Sequence, residues 1–193
     1  MSARWRHACG RNIAVSPTWR AYSLRRPRRL AALTGRRFVR ALASPRRRAL
    51  RTAQLAGVAG VTTDPDLAEW NYGEYEGRTT AEVHEDRPDW NLWTDGCPGG
   101  ESPTEVGERL DRVLAQVTPL LARGDVALVG HAHALRVLGA RWIGLPPSAG
   151  GRLRLDTATV SVLGHEHGRQ VILRWNQPAP PAPAAAPGPT ARH

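Results

Sequence analysis

The sequence contains no lysine: all 27 of its basic residues are arginine, set against 17 acidic residues. The two cations are not interchangeable at a surface, and so complete a preference for the residue with GC-rich codons reads as coding bias, not as a functional device. Acidic residues are absent from positions 1–63, which hold 15 arginines. The formal charge of +10 therefore divides into +15 for that stretch and, with 12 arginines against all 17 acids, −5 for positions 64–193. The globular remainder is mildly acidic. That distribution argues against a nucleic-acid-binding domain, whose basic residues cluster on the folded surface, often with aromatics between them.

Cysteine is scarce as well. Cys9 and Cys97 are the only two; they imply no disulfide framework, and neither sits in a CxxC or Cys/His cluster that would suggest zinc. A reducing, cytoplasmic setting is expected. Long apolar runs are missing: Val126-Ala127-Leu128-Val129 is typical, far short of the roughly 18–20 residues of a membrane span, so no membrane partner is expected. The basic start lacks the apolar core of about 7–15 residues found in secretory signals.

Against these absences, 193 residues with 41% hydrophobic content suffice for one domain with a buried core. Up to about position 34 no strand alternation or helical stripe is evident, and Pro17 and Pro27 interrupt what pattern exists. Order is expected from Gly35. Positions 38–43 read as a strand, after which Ser44-Pro45 opens a helix to about position 56, with Ser at the N-cap and Pro at N1. A short helix is expected over 79–85. Ser102 with Glu105 forms a capping box ahead of Val106, Leu110, Val113, Leu114, Val117 and Leu121, which predicts a long amphipathic helix. Positions 126–129 read as a strand covered on both faces, 134–143 as a helix, and 159–163 and 171–175 as strands. His165 and His167 are placed in an exposed polar turn between them. Strands alternating with helices predict a three-layer, doubly wound, mostly parallel α/β sheet, with its first strand missing or altered. The Pro/Ala-rich stretch 177–193 is expected to be a disordered tail.

Three segments place titratable groups where such a sheet puts its ligands, beyond the carboxyl ends of strands. In Ser44-Pro45-Arg46-Arg47-Arg48 a helix start and guanidinium groups come together, a combination suited to a phosphate dianion. In Glu69-Trp70-Asn71-Tyr72-Gly73 a carboxylate beside aromatic rings is a candidate general acid with a raised pKa. In Gly130-His131-Ala132-His133 a histidine at a strand end and helix start can donate to a phosphoryl oxygen. Arg46 and Arg47 read as surface residues, and Trp90 with Trp93 as a cap over the pocket.

With Gly96-Cys97-Pro98-Gly99-Gly100-Glu101-Ser102, these segments resemble, in order and spacing from 35 to 176, the phosphoglycerate-mutase-like branch of the histidine phosphatase superfamily. The wording is most similar to bacterial acid phosphatases and sugar-bisphosphate phosphatases. The resemblance implies a cofactor-free, metal-independent hydrolase of small phosphorylated metabolites that passes through a phosphohistidine; a homodimer is compatible with it. It makes Glu69 the acid, Arg48 and His131 the phosphoryl-binding groups, and Glu101, Ser102 and His133 pocket residues. Ala132 stands where the family more often has glycine.

The nucleophile does not fit. The family places Arg-His-Gly directly after its first apolar strand, and only Arg6-His7-Ala8-Cys9-Gly10 offers anything similar, without a preceding strand or a following acid. The nucleophile is therefore left unassigned. A shifted reading frame, a wrong start or real divergence in 1–34 would each produce this. Two other functions stay open: a phosphatase-like module that binds phosphorylated ligands without turnover, and nucleic-acid binding through the arginine-rich start.

Overall fold

In a computed structural model of the chain, residues 13–17, 33 and 35–178 are described, the first five as backbone only. Residues 1–12, which include His7 and Cys9, and the stretch 179–193 that covers nearly all of the expected tail lie outside the described residues. Six strands form one sheet: β1 (Ile13–Pro17), β2 (Arg40–Ala43), β3 (Val61–Thr63), β4 (Val126–Gly130), β5 (Thr159–Glu166) and β6 (Arg169–Pro178). Their order is β3-β2-β4-β1-β5-β6. β3, β2, β4 and β1 run parallel, and β5 and β6 add an antiparallel edge. The doubly wound, mostly parallel α/β sheet is thus observed.

The expectation of no strand before position 35 is corrected. Ile13–Pro17 lies between β4 and β5, in register from Ile13 opposite Val126 to Pro17 opposite Gly130. Five residues closed by a proline carry little pattern of their own, so this strand is specified by its neighbours.

β4 shows why the centre of the sheet reads as an unbroken apolar run. Val126 and Leu128 point into one core with Leu42 of β2, while Ala127 and Val129 point into the other with Ala41 and Ala43. The second core receives helix α1 (Arg47–Leu55) through Ala49 and Ala53. Alanines on both sides let that helix lie close to the sheet. The first core is filled by α4 (Pro103–Val117) and α5 (Ala132–Trp142). On α4, Val106, Leu110, Val113, Leu114 and Val117 are buried, and the Ser102–Glu105 capping box forms in both directions.

Two short helices, α2 (Thr80–Asp86) and α3 (Leu92–Asp95), lie in the long β3–α4 connection. α2 carries its own capping box from Thr79 to Glu82. At the β5–β6 hairpin His167 and Gly168 both take positive φ, 49° and 77°, the two-residue turn that matches strand twist. His165 is not simply exposed, because its ring meets Trp142 edge-on at 5.1 Å.

One further correction bears on the site. α1 does not begin at Ser44-Pro45: its first residue is Arg47 and its N-cap is Arg46, which supplies no side-chain cap. Ser44 instead continues the β2 ladder by donating its N–H to the Val129 carbonyl at 2.8 Å. Its hydroxyl is thereby turned toward β4.

Candidate active site

The carboxyl ends of β2 and β4 open onto a cavity of about 700 Å³ lined by Arg46, Arg48, Glu69, Tyr72, Glu101 and Arg109, among others. A doubly wound sheet favours this place because helices there begin with free amide N–H groups. His131, the N-cap of α5, is almost fully buried at 1% exposure. Its Nδ1 accepts a hydrogen bond from Arg48 Nε at 3.1 Å. Because Arg48 can only donate, Nδ1 is unprotonated, and the ring proton sits on Nε2, which is 2.8 Å from Ser44 Oγ. His131 is therefore a neutral donor. Burial first, then Arg48, Arg46 and Arg109, pushes its pKa down to about 3.

Having no side-chain cap, α5 leaves its first amides to an outside acceptor. Glu69 fills that role: Oε1 accepts from Ala134 N at 3.0 Å and from Trp70 N at 3.0 Å, and Oε2 accepts from His133 N at 3.5 Å. Burial raises the Glu69 pKa, against these amide bonds and the Arg48 charge, which lower it. The net shift is upward. The carboxyl is thus better able to carry a proton than an ordinary glutamate.

The structure brings Arg48, Glu69 and His131 together. His133 stands behind them with Nδ1 2.6 Å from Tyr72 Oη and its ring edge-on to Trp93 at 5.3 Å. Glu101 does line the cavity, but its carboxylate is committed: Arg109 binds it in bidentate fashion at 2.6 and 3.1 Å, and Asn71 N donates to it at 2.8 Å. Ser102 is the α4 cap and is not among the lining residues. Trp90 and Trp93 do not line the cavity either; Trp93 stacks under Arg136 at 4.3 Å, and Trp90 packs on Tyr75.

Three participants escape sequence reading. Ser44 meets a partner 87 residues away. Arg109 looks like one more charge on α4, yet it is buried and also donates to the carbonyls of Asp66 and Ala68 at 2.6 and 2.9 Å. Arg46 is exposed, as expected, but its place on the cavity wall was not foreseen. Only the capped, inward end of α4 hints at Arg109, which lies at the position eight residues after Glu101. Among the described residues no group of three or more His, Cys, Asp or Glu could hold a metal ion, and no helix is long and apolar enough to cross a membrane.

A neutral histidine bound to an arginine thus stands at the head of a helix whose amides hold a glutamate. The sequence profile of the histidine phosphatase superfamily (branch 1) matches residues 25–178. The chain belongs to the histidine phosphatase superfamily. An acid phosphatase of Mycobacterium tuberculosis is 41% identical over 145 residues, covering 75% of this chain and 71% of that protein. A sedoheptulose 1,7-bisphosphatase of Saccharomyces cerevisiae is 37% identical, covering 53% of this chain and 46% of that protein. Among solved structures, an open-reading-frame product of Mycobacterium tuberculosis superposes with a TM-score of 0.78 at 32% identity, covering 88% of this chain and 98% of that one. β1 contains no histidine, and none occurs between His7 and His84.

Proposed function

We propose that this histidine phosphatase is a phosphomonoesterase of small phosphorylated metabolites, in which Arg48 and His131 hold the phosphoryl group and Glu69 protonates the leaving oxygen. One observation carries the reading: Arg48 and Glu69 converge on the same helix end, one through the His131 ring and the other through the α5 amides. The Nε2–H that His131 now gives Ser44 is the bond it would give a phosphoryl oxygen.

Attack by a histidine nitrogen forms a P–N bond as the ester P–O bond breaks, and the departing oxygen takes the Glu69 proton. Water then gives its proton to Glu69 and cleaves the P–N bond, releasing inorganic phosphate. Guanidinium groups supply the positive charge, which supports a reaction without metal or cofactor. Glu101 and His133 would shape the pocket wall, with Ser102 fixing the start of α4 beside it. A cytoplasmic setting is inferred from the buried, free Cys97. Neither nucleic acid nor membrane is inferred as a partner, and a homodimer is compatible with the reading. The names of the acid phosphatase and the sugar bisphosphatase relatives support a phosphate ester as substrate.

The test is phosphate release from an aryl and an alkyl phosphate in the presence of a chelator. Turnover is expected, with loss on His131→Ala. Glu69→Gln should lower the alkyl rate by about 10²–10⁴ and the aryl rate less, because a good leaving group needs no proton. No turnover at any pH would sink the proposal.

A second reading is favoured by β1 itself. The strand ends at Pro17, paired with Gly130, and the residues that follow are Thr18 and Trp19, where the family has its Arg-His-Gly. A chain without that nucleophile would bind phosphate esters and not turn them over. Thermal stabilisation by phosphate, with neither turnover nor a phosphohistidine detectable by mass spectrometry, would decide for it.

A further inference from the structure

Arg46 is the N-cap of α1, a position that favours Ser, Asp or Asn, and it is followed by Arg47 and Arg48 with no acidic residue in the first turn. Cations at a helix N-terminus oppose the helix dipole and repel one another. Such a local conflict points to a functional position. Arg46 lines the cavity beside Arg48. The carboxylates on the same wall are otherwise engaged: Glu69 by the α5 amides, Glu101 by Arg109, and Glu76 by the Tyr72 amide at 3.3 Å. Arg48 is bound to His131. Among the described residues, then, no carboxylate pairs with the Arg46 guanidinium, although it faces a cavity large enough for a whole metabolite.

We infer that Arg46 is a specificity-determining residue that binds a second anionic group, phosphate or carboxylate, on a substrate whose first phosphate lies at Arg48. The inference rests on the phosphatase-site reading and adds a substrate class: doubly anionic metabolites are preferred over simple monophosphates. Arg48 with the uncapped α1 amides can satisfy one phosphate, which leaves Arg46 for the other group. Arg47, although adjacent, faces a different groove, with Leu50, Arg51 and Gln54. It therefore serves as an internal control for nonspecific charge.

Dissociation constants for an alkanediol bisphosphate, the matching alkyl monophosphate and an ω-carboxyalkyl phosphate, measured calorimetrically on the full chain, test this without requiring turnover. Wild type should prefer the two doubly anionic probes. Arg46→Ala should lower that preference roughly five- to tenfold, the size of a charge-assisted contact reduced by solvent exposure, by weakening the doubly anionic probes more than the monophosphate. Arg47→Ala should leave the preference intact. The separate bisphosphate and carboxylate probes report which second anion fits better. The inference is overturned if Arg46→Ala keeps the preference, or if Arg47→Ala removes it equally. Failure of every probe to bind, with Arg48→Ala indistinguishable from wild type, would overturn the phosphatase-site reading and the inference with it.

Discussion

Arg109 on α4 holds together the segment that presents Glu69, and its removal should be felt far more than that of an ordinary helix arginine. Its side chain is 8% exposed and that of Glu101 is 21% exposed. Nε and Nη2 bind the two carboxylate oxygens, and Nη1 binds the carbonyls of Asp66 and Ala68, the second immediately before Glu69. Arg109→Met keeps much of the apolar stem but strands a largely buried carboxylate and two carbonyls. Removing one member of a buried pair costs about 3–5 kcal/mol, most of it the penalty of the charge left behind. For a domain of this size each kcal/mol shifts Tm by about 2–4 °C, so a drop of about 6–20 °C is expected by calorimetry.

The cause can be separated from lost packing. If the stranded charge dominates, Arg109→Met combined with Glu101→Met should recover part of the loss, since no unpaired carboxylate remains. The recovery is incomplete, because Asn71 N also loses its acceptor. An Arg109→Met protein within about 1 kcal/mol of wild type in urea unfolding would refute the reasoning, since that is the range of an exposed ion pair.

Two other outcomes follow from the same geometry. The His131 pKa is depressed, so the unfolded chain binds the extra proton first: its contribution to stability is complete above about 6.5 and is lost as pH falls toward about 3. Tm should decline across that window, and His131→Gln should flatten the decline; an unchanged slope would count against a buried neutral ring. At Gly100 an added Cβ would meet the Asn71 carbonyl, Gly73 N and Tyr72 C, all backbone of the loop after Glu69. Gly100→Ala should cost about 1–3 kcal/mol in urea unfolding and weaken phosphate binding, whereas a neutral effect would mean the two loops are not rigidly apposed.

What could be read from the sequence was local in origin. The Ser102–Glu105 box reports its helix start through four consecutive residues, and the unbroken apolar run 126–129 reports a strand covered on both faces. Arg48, Glu69 and His131 were legible because each follows a strand in a short, distinctive string. What could not be read depends on partners distant along the chain. Ser44 looks like an N-cap until β4 places the His131 ring 2.8 Å from its hydroxyl. Arg109 is indistinguishable from Arg112 by pattern, yet Arg112 holds Asp66 at an exposed site while Arg109 is buried in the clamp. β1 has too few residues to display a period and exists because β4 and β5 flank it.

β1 also bears on how far phosphate binding and turnover depend on one another in this fold. The groups proposed to bind phosphate stand on the β2–α1 and β4–α5 junctions. Arg48 bonds to the His131 ring and Glu69 to the α5 amides, so the proposed cradle joins the β2–α1 junction, the loop after β3 and the β4–α5 junction. His7 is the one histidine that precedes β1 in the sequence. Phosphate affinity that depends on Arg48, measured beside turnover that depends on His7, shows which of the two this histidine phosphatase retains.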